Sequence, residues 1–180
     1  KLFQTLRAHR KDMHIIAEDL GFITKEVEEL KNEFGFPGMK ILQFIFNGPL
    51  EEELLPHNFE ENSVVYTGTH DNDTTAGWYQ KMKIANPKAD YEMKDYFHIS
   101  GEIGEKAICW TLIEAALNSP ANTAIIPMQD LLCLGSEARM NIPNTIGGRN
   151  WGWRLRKGLL TTELEEKLAG LSELYGRNKN

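Results

Sequence analysis

Short runs of consecutive apolar residues alternate along the chain with stretches in which apolar residues recur every three or four positions. The apolar runs lie at 13–17, 39–46, 63–67 and 123–127. Runs without strict polar alternation are typical of parallel strands that are buried on both faces. The longer periodic stretches between them predict helices. The alternation of strand and helix therefore predicts an α/β protein.

The helical stretches carry their own start and stop signals. Predicted helices lie at 1–12, from the Thr24 cap to Phe34, through Trp78 to Met82, from the Ser100 cap to Ser119, from Gln129, and after a capping box Thr162-x-x-Glu165. Gly35 is expected to end the second of these helices.

Four strand–helix units fit either an open doubly wound sheet or part of a (β/α)8 barrel. A whole barrel typically needs about 250 residues, and this chain has 180. Four units would therefore make about half of a barrel. In both architectures the carboxyl ends of parallel strands carry the active site.

Acidic residues follow three of the predicted strands. They occur in Glu18-Asp19, in His70-Asp71-Asn72-Asp73 and in Gln129-Asp130. Carboxylates also cap helices, so both interpretations stay open for Asp73, which Thr74 and Thr75 follow. Burial of a lone carboxylate is costly, and a buried strand-end carboxylate is what a general acid requires, which favours Glu18 as a functional group. His70 would usually be a structural histidine, but its neighbour Asp71 favours a site.

Composition narrows the classes of function. The chain is 41% hydrophobic and 26% charged, with a net charge of -6 and a pI near 5.4. An acidic balance argues against a nucleic-acid partner, and apolar runs far shorter than about 20 residues argue against a membrane partner. Without a signal peptide, and with Cys109 and Cys133 outside any CxxC spacing, we expect two buried, reduced thiols in a cytoplasmic protein.

Several familiar catalytic motifs do not occur in the sequence. We find no HExxH, paired Cys/His spacing, GxGxxG, GxxxxGK[ST] or GxSxG pattern, so we expect no metal and no cofactor. Carboxylate chemistry remains, and on a (β/α)8 frame such chemistry commonly acts on glycosides.

Long stretches of the chain resemble one known family. They are IIAEDLGFITKEVEEL, GFPGMKILQFIF, LPHNF, VVYTGTHDNDTTAGWY, IIPMQDLLCLGSEARMNIPNT and NWGWRL. Their order and spacing, from about residue 5 to the end, resemble the 4-α-glucanotransferases (amylomaltases or disproportionating enzymes) of glycoside hydrolase family 77. The resemblance implies a (β/α)8 barrel that transfers part of an α-1,4-glucan to the 4-hydroxyl of another glucan, with retention of configuration.

The resemblance also implies roles for individual residues. Glu18 corresponds to the acid/base, and Asp71 to the carboxylate that binds sugar hydroxyls and stabilises the transition state. The substrate-binding residues it implies are Asp19, His70, Phe44 and Asn141.

The family's nucleophile is an Asp on the β/α unit before Glu18. Only Asp12 precedes Glu18 here, and it lies at the wrong end of the predicted strand. The chain begins at Lys1, within a helical pattern that has no start signal. We therefore expect residues 1–180 to be the C-terminal part of a single catalytic barrel, about strands five to eight, without the N-terminal half and inactive alone.

The expected partners are maltooligosaccharides or other α-1,4-glucans and the N-terminal half of the same barrel. Two alternatives stay open. One is an α-1,4-glucan hydrolase of the same chemistry. The other is a non-catalytic glucan-binding half-barrel that stacks sugars on its aromatic residues, namely Phe44, Trp78, Trp151 and Trp153, although such aromatics more often belong to a core.

Overall fold

The structure of the chain is a computed structural model that describes residues 1–10 and 13–178. Its sheet consists of Gly38–Ile41 (β1), Ser63–Tyr66 (β2) and Thr123–Ile125 (β3). Both pairings are parallel, and β2 lies between the other two strands. The predicted α/β class with a parallel sheet is therefore confirmed.

Helices lie before, between and after the strands. Within the described residues they are Leu2–His9 (α1), Lys25–Glu33 (α2), Leu42–Ile45 (α3), Thr75–Ala85 (α4), Pro87–Tyr96 (α5), Glu105–Asn118 (α6), Met128–Leu131 (α7) and Thr162–Leu174 (α8). Short 3-10 turns occur at Glu52–Leu54, Pro56–Asn58 and Ser136–Ala138.

The strand predicted at 13–17 does not form, although these residues lie in the described part of the chain. The backbone N–H of Ala17 donates to the carbonyl of Pro37 at 2.9 Å. The backbone N–H of Met39 donates to Asp19 Oδ1 at 2.7 Å. The segment thus runs beside β1, but one of these bonds goes to a side chain, so the backbone pairing is too sparse to make a strand.

The strand predicted at 39–46 is shorter than expected. β1 ends at Ile41, and α3 follows directly. Leu42 and Phe46 are fully buried one helical turn apart, and the N–H of Phe46 donates to the Leu42 carbonyl at 3.0 Å. An apolar run cannot by itself distinguish a strand from a buried helical turn. The turn leaves Phe44 on the outside, 55% exposed.

Two predicted caps are displaced, and one helix was not predicted. α6 begins after Gly104 rather than after Ser100. α8 is capped by Thr161, whose hydroxyl accepts from the N–H of Leu164 at 3.2 Å, and not by Thr162. α5 follows an Asn86-Pro87 pair in which Asn86 caps the helix, a start signal that was present in the sequence.

Two apolar clusters pack α3 to α8 around the sheet. The larger contains Leu42, Phe46, Val65, Tyr79, Met82, Met93, Ile108 and Leu112. The smaller joins Trp110, Ile113 and Leu117 of α6 to Leu164, Leu168, Leu171 and Tyr175 of the C-terminal helix region. The apolar stripe predicted for the last helix therefore packs against α6.

An ion pair stabilises the segment around Asp19 that runs beside β1. Lys31 Nζ donates to Asp19 Oδ2 at 2.7 Å, and both side chains are largely buried. Burial by itself would raise the pKa of Asp19, but hydrogen bonds from Lys31 and from the Met39 backbone outweigh it and lower the pKa. A Cβ at Gly38 would lie 2.1 Å from Asp19 Oδ2, so only glycine leaves room for this carboxylate.

We predict that Gly38→Ala lowers the free energy of unfolding by about 1–3 kcal/mol, because the new methyl group displaces Asp19. Urea unfolding followed by circular dichroism measures the change. Gly170→Ala in α8 is the matched control, since nothing lies within 4 Å of its new Cβ. The control should raise the free energy of unfolding by about 0.5–1 kcal/mol. Equal midpoints for Gly38→Ala and the unchanged chain would contradict the prediction.

Candidate active site

The loop that follows β2, residues 67–74, has a tight turn at its tip. The backbone N–H and the hydroxyl of Thr69 both donate to Asn72 Oδ1 at 2.8 Å. Such a side-chain closure of a turn is characteristic of asparagine. The closed turn places His70 and Asp71 at the tip, where both side chains are about half exposed.

A second segment, residues 139–141, is bonded to this tip. Asn141 Nδ2 donates to Asp71 Oδ1 at 2.6 Å, and the Asn141 N–H donates to the His70 carbonyl at 3.1 Å. The Arg139 guanidinium donates to the Asp71 carbonyl at 2.6 Å and to the Asn141 carbonyl at 2.7 Å. The segment therefore orients the Asp71 carboxylate through side-chain and backbone contacts together.

An aromatic ring completes the exposed cluster. His70 Nε2 lies 3.4 Å from Asp71 Oδ1, and the His70 ring centroid lies 5.1 Å from that of Trp151. The Trp151 N–H donates to the Met140 carbonyl at 2.7 Å, which ties the aromatic residue to the 139–141 segment. Trp151 is 55% exposed, so an imidazole, a carboxylate and an indole share one accessible surface.

Asp73 does not cap α4. The cap is Thr74, whose hydroxyl accepts from the N–H of Gly77 at 3.1 Å. Asp73 Oδ1 accepts from the Thr74 N–H at 2.9 Å. Asp73 Oδ2 accepts from the Ser136 hydroxyl at 2.8 Å and from the Lys81 ammonium. Asp73 thus connects the loop to the turn that precedes residue 139.

Asp130 closes the base of the same loop. Its side chain is buried, and the Thr67 hydroxyl donates to Oδ2 at 2.5 Å. The backbone N–H of Thr75 donates to Oδ1 at 2.7 Å, and the Thr75 hydroxyl donates to Oδ2 at 2.8 Å. Thr67 begins the loop and Thr75 directly follows it as the first residue of α4, so one carboxylate holds the two ends of the loop together.

The sequence predicted that Asp130 is another carboxylate at the mouth of the sheet. The structure instead turns it inward. Burial raises the pKa of Asp130; the hydrogen bonds from Thr67 and Thr75 offset part of the increase, and the nearby Asp73 carboxylate adds to it. The sequence signal for this inward orientation was the pair of threonines that flank the loop, because their hydroxyls donate to a buried acceptor.

A small pocket lies behind the tip. Its volume is about 170 Å³, and its lining includes His70, Gln129, Asp130 and Arg139. Sites for small molecules typically enclose about 300–1,000 Å³. A ligand larger than this pocket would therefore lie across the exposed tip.

The structure brings three of the six predicted site residues together, namely His70, Asp71 and Asn141. Glu18 is exposed, so the burial expected for it is wrong in this chain. Asp19 is bonded to Lys31 and Met39 beside β1. Phe44 lies exposed on α3, which follows β1. Asp12 lies outside the described residues.

The parallel sheet and the polar cluster after its central strand define an α/β protein with a strand-end site. A family model described as 4-alpha-glucanotransferase matches residues 1–161. The chain belongs to this family.

Individual relatives agree with the family match. The chain is 46% identical over 178 residues to a 4-alpha-glucanotransferase of Clostridium butyricum, covering 98% of this chain and 35% of that protein. It is 48% identical over 179 residues to a chloroplastic/amyloplastic 4-alpha-glucanotransferase of Arabidopsis thaliana, covering 98% of this chain and 30% of that protein. The chain thus spans about a third of the length of these curated relatives.

Solved structures agree as well. An amylomaltase from Streptococcus agalactiae, solved in complex with acarbose, superposes with a TM-score of 0.87 at 36% identity, covering 99% of this chain and 35% of that one. An amylomaltase from Corynebacterium glutamicum, at 20% identity, shares the fold with a TM-score of 0.65 over 93% of this chain and 30% of that one. Among residues 1–10 and 13–178, no helix is both long and apolar enough to cross a bilayer.

We predict that Asp130→Asn folds and that its stability differs from the unchanged chain in a pH-dependent way. The folded-state pKa of Asp130 is raised, so the folded chain keeps this proton over a pH range in which the unfolded chain has lost it. The stabilising contribution is complete below the unfolded-state pKa and is lost as the pH rises through the folded-state pKa. The stability of the unchanged chain relative to Asp130→Asn should therefore fall as the pH rises above the unfolded-state pKa, which urea titrations at pH 4 and pH 7 would measure.

Asp130→Ala serves as the comparison for this experiment. It leaves three buried donors without an acceptor and should lower the free energy of unfolding by roughly 3 kcal/mol or more at both pH values. A stability difference between Asp130→Asn and the unchanged chain that is constant with pH would show that the carboxyl titrates alike in both states.

Proposed function

We propose that residues 1–180 are the C-terminal part, about strands five to eight, of the single (β/α)8 barrel of a retaining 4-α-glucanotransferase. The whole enzyme would transfer a segment of an α-1,4-glucan to the 4-hydroxyl of another glucan or of glucose. Family membership, the parallel sheet and the similarity to the Streptococcus agalactiae amylomaltase support the proposal. So does the coverage, since the chain spans about a third of its relatives.

The observation that carries the proposal is the exposed and oriented carboxylate of Asp71. Asn141 binds Oδ1 at 2.6 Å, and His70 lies at 3.4 Å from the same atom. The carboxylate would accept hydrogen bonds from sugar hydroxyls. These hydrogen bonds would become stronger as positive charge develops on the sugar ring. His70 and Asn141 would bind neighbouring hydroxyls, and the exposed Trp151 ring beside His70 offers an apolar face to a sugar.

Glu18 would act as the general acid and base. It would protonate the glycosidic oxygen while an upstream Asp attacks the anomeric carbon, and then remove the proton from the acceptor's 4-hydroxyl. Asp19 would lie near the acceptor, and Phe44 would pack on a sugar ring. Glu18 and Phe44 are exposed in this chain, so covering by the N-terminal half would exclude water and favour transfer over hydrolysis.

The N-terminal half of the barrel is the proposed protein partner. β1 and β3 are the outer strands of the described sheet, and β3 leaves Ile125 40% exposed. Exposed strand edges favour pairing with further strands. We retain the cytoplasm as the proposed location, while noting that a plant relative is described as chloroplastic/amyloplastic.

Two alternatives remain as outcomes of the test. An α-1,4-glucan hydrolase would use the same residues and differ only in its acceptor. A non-catalytic glucan-binding half-barrel would use exposed aromatic rings, and Phe44 and Trp151 are each 55% exposed. Trp78 packs against the main apolar cluster, which removes it from this set.

We predict that the chain alone does not disproportionate maltotriose, because the nucleophile of the proposed mechanism lies outside residues 1–180. Adding the N-terminal two thirds of the Clostridium butyricum relative should yield glucose together with longer maltooligosaccharides, resolved by chromatography. In that mixture Glu18→Gln and Asp71→Asn should each lower the rate by about 100-fold or more. Glu29→Gln, which changes an exposed carboxylate paired with Lys25 on α2, is the matched control and should leave the rate unchanged.

Each other outcome has a definite meaning. Disproportionation by the chain alone would show that a nucleophile lies within residues 1–180. Products that are only shorter than maltotriose would favour the hydrolase. Saturable binding of maltooligosaccharide in calorimetry, without turnover in the mixture, would favour the binding module.

A further inference from the structure

The two cysteines meet at the contact between α6 and the residues that follow α7. Cys109 is fully buried in α6, whereas Cys133 is partly exposed, so only one of the two expected buried thiols is buried. Cys133 packs against the α6 cluster that contains Trp110, and each thiol is the largest influence on the pKa of the other. The Cys133 sulfur also lies 3.9 Å from the carbonyl of Lys106, one helical turn before Cys109.

Cys133 has an unusual backbone conformation. Its φ of +53° is in the left-handed region, which is unfavourable for a residue other than glycine. The backbone N–H of Cys133 donates to the Asp130 carbonyl at 3.0 Å, so this conformation ends α7. A cysteine therefore occupies a position that suits glycine, and the conformation directs its side chain towards α6.

Cys133 lines a groove of about 240 Å³. Its apolar walls include Trp110, Leu131 and Leu164. Its charged lining residues are Lys106, Lys167 and Glu163, so the lysines outnumber the single carboxylate, and Lys167 Nζ lies 3.7 Å from the centre of the Trp110 ring. A small anionic molecule with an apolar portion would fit these groups.

The surroundings favour a negative charge on Cys133. The hydrogen bond from Cys109 is the largest influence that lowers the pKa of Cys133, and Lys106 and Lys167 act in the same direction. Burial and the Asp130 carboxylate oppose them without cancelling them. The same contact, together with burial, raises the pKa of Cys109, so Cys109 keeps its proton and donates it.

We propose that Cys133 and Cys109 form a thiol modification site that reacts with an anionic low-molecular-weight disulfide, with oxidised glutathione as the probe. The Cys133 thiolate attacks one glutathione sulfur, the glutathione disulfide bond breaks, and the first glutathione leaves as its thiolate. Cys109 then gives its proton to that thiolate and attacks the Cys133 sulfur, which expels the second glutathione. The chain loses two thiols and gains one disulfide, and oxidised glutathione becomes two reduced molecules.

The proposal does not depend on glucan chemistry, so it is tested on the 180-residue chain itself. Iodoacetamide should label Cys133 in the folded chain at least about tenfold faster than Cys109, because Cys109 is buried. Trypsin leaves both cysteines in the peptide 107–139, and cleavage at Glu114 then separates them for mass spectrometry. Oxidised glutathione should lower the mass of peptide 107–139 by two hydrogen atoms.

Variants identify the role of each thiol. Cys109→Ser should accumulate the mixed disulfide between glutathione and Cys133, because no second thiol resolves it. Cys133→Ser should remain unmodified. Lys106→Gln should slow the reaction about two- to threefold, since it removes a nearby positive charge from the groove. Lys88→Gln, which breaks an exposed pair with Glu92 on α5, is the matched control and should not slow it.

Three results would overturn the proposal. Labelling of Cys133 no faster than that of Cys109 would show that the groove does not expose a reactive thiol. A mixed disulfide that persists in the unchanged chain would show that Cys109 does not resolve it. Equal rates for Lys106→Gln and Lys88→Gln would show that the groove lysines do not help to recognise the anionic disulfide.

Discussion

The geometry of the candidate site depends on one buried carboxylate, that of Asp130. It accepts three hydrogen bonds, and these come from both ends of the loop that carries His70 and Asp71. Burying a carboxylate is costly unless its hydrogen bonds are made. The two loop ends and the start of α7 must therefore take up their positions together. The burial that raises the pKa of Asp130 therefore also restricts the conformation of the loop.

A second set of contacts holds the loop from the outside. Asp73 joins it to Ser136, and Arg139 and Asn141 bind the backbone and side chain at the tip. The loop is thus fixed below by Asp130 and above by the 136–141 segment. Held on both sides, the turn presents His70 and Asp71 at a fixed separation while half of each side chain stays accessible. Preorganisation of this kind is what stabilisation of a developing charge requires.

The sequence predicted much of this site, but not its interior. The apolar run before residue 67 and the polar turn after it located His70 and Asp71, and the family resemblance added Asn141. The inward direction of Asp130 and the role of Asp73 could not be predicted, because both depend on partners more than 50 residues away in the chain. Glu18 was expected to be buried, but the described part of the chain leaves it exposed.

The sequence by itself determined the α/β class, the family and the position of the strand-end cluster, because local periodicity and motif spacing encode them. The tertiary structure decided that residues 42–45 form a helical turn rather than a strand, and that residues 13–17 run beside β1 without joining the sheet. It also decided which carboxylates face outward, as Asp71 does, and which face inward, as Asp130 does. The physical reason is that hydrogen-bond partners and burial belong to segments far apart in the chain, which only the packed fold brings within about 3 Å of each other.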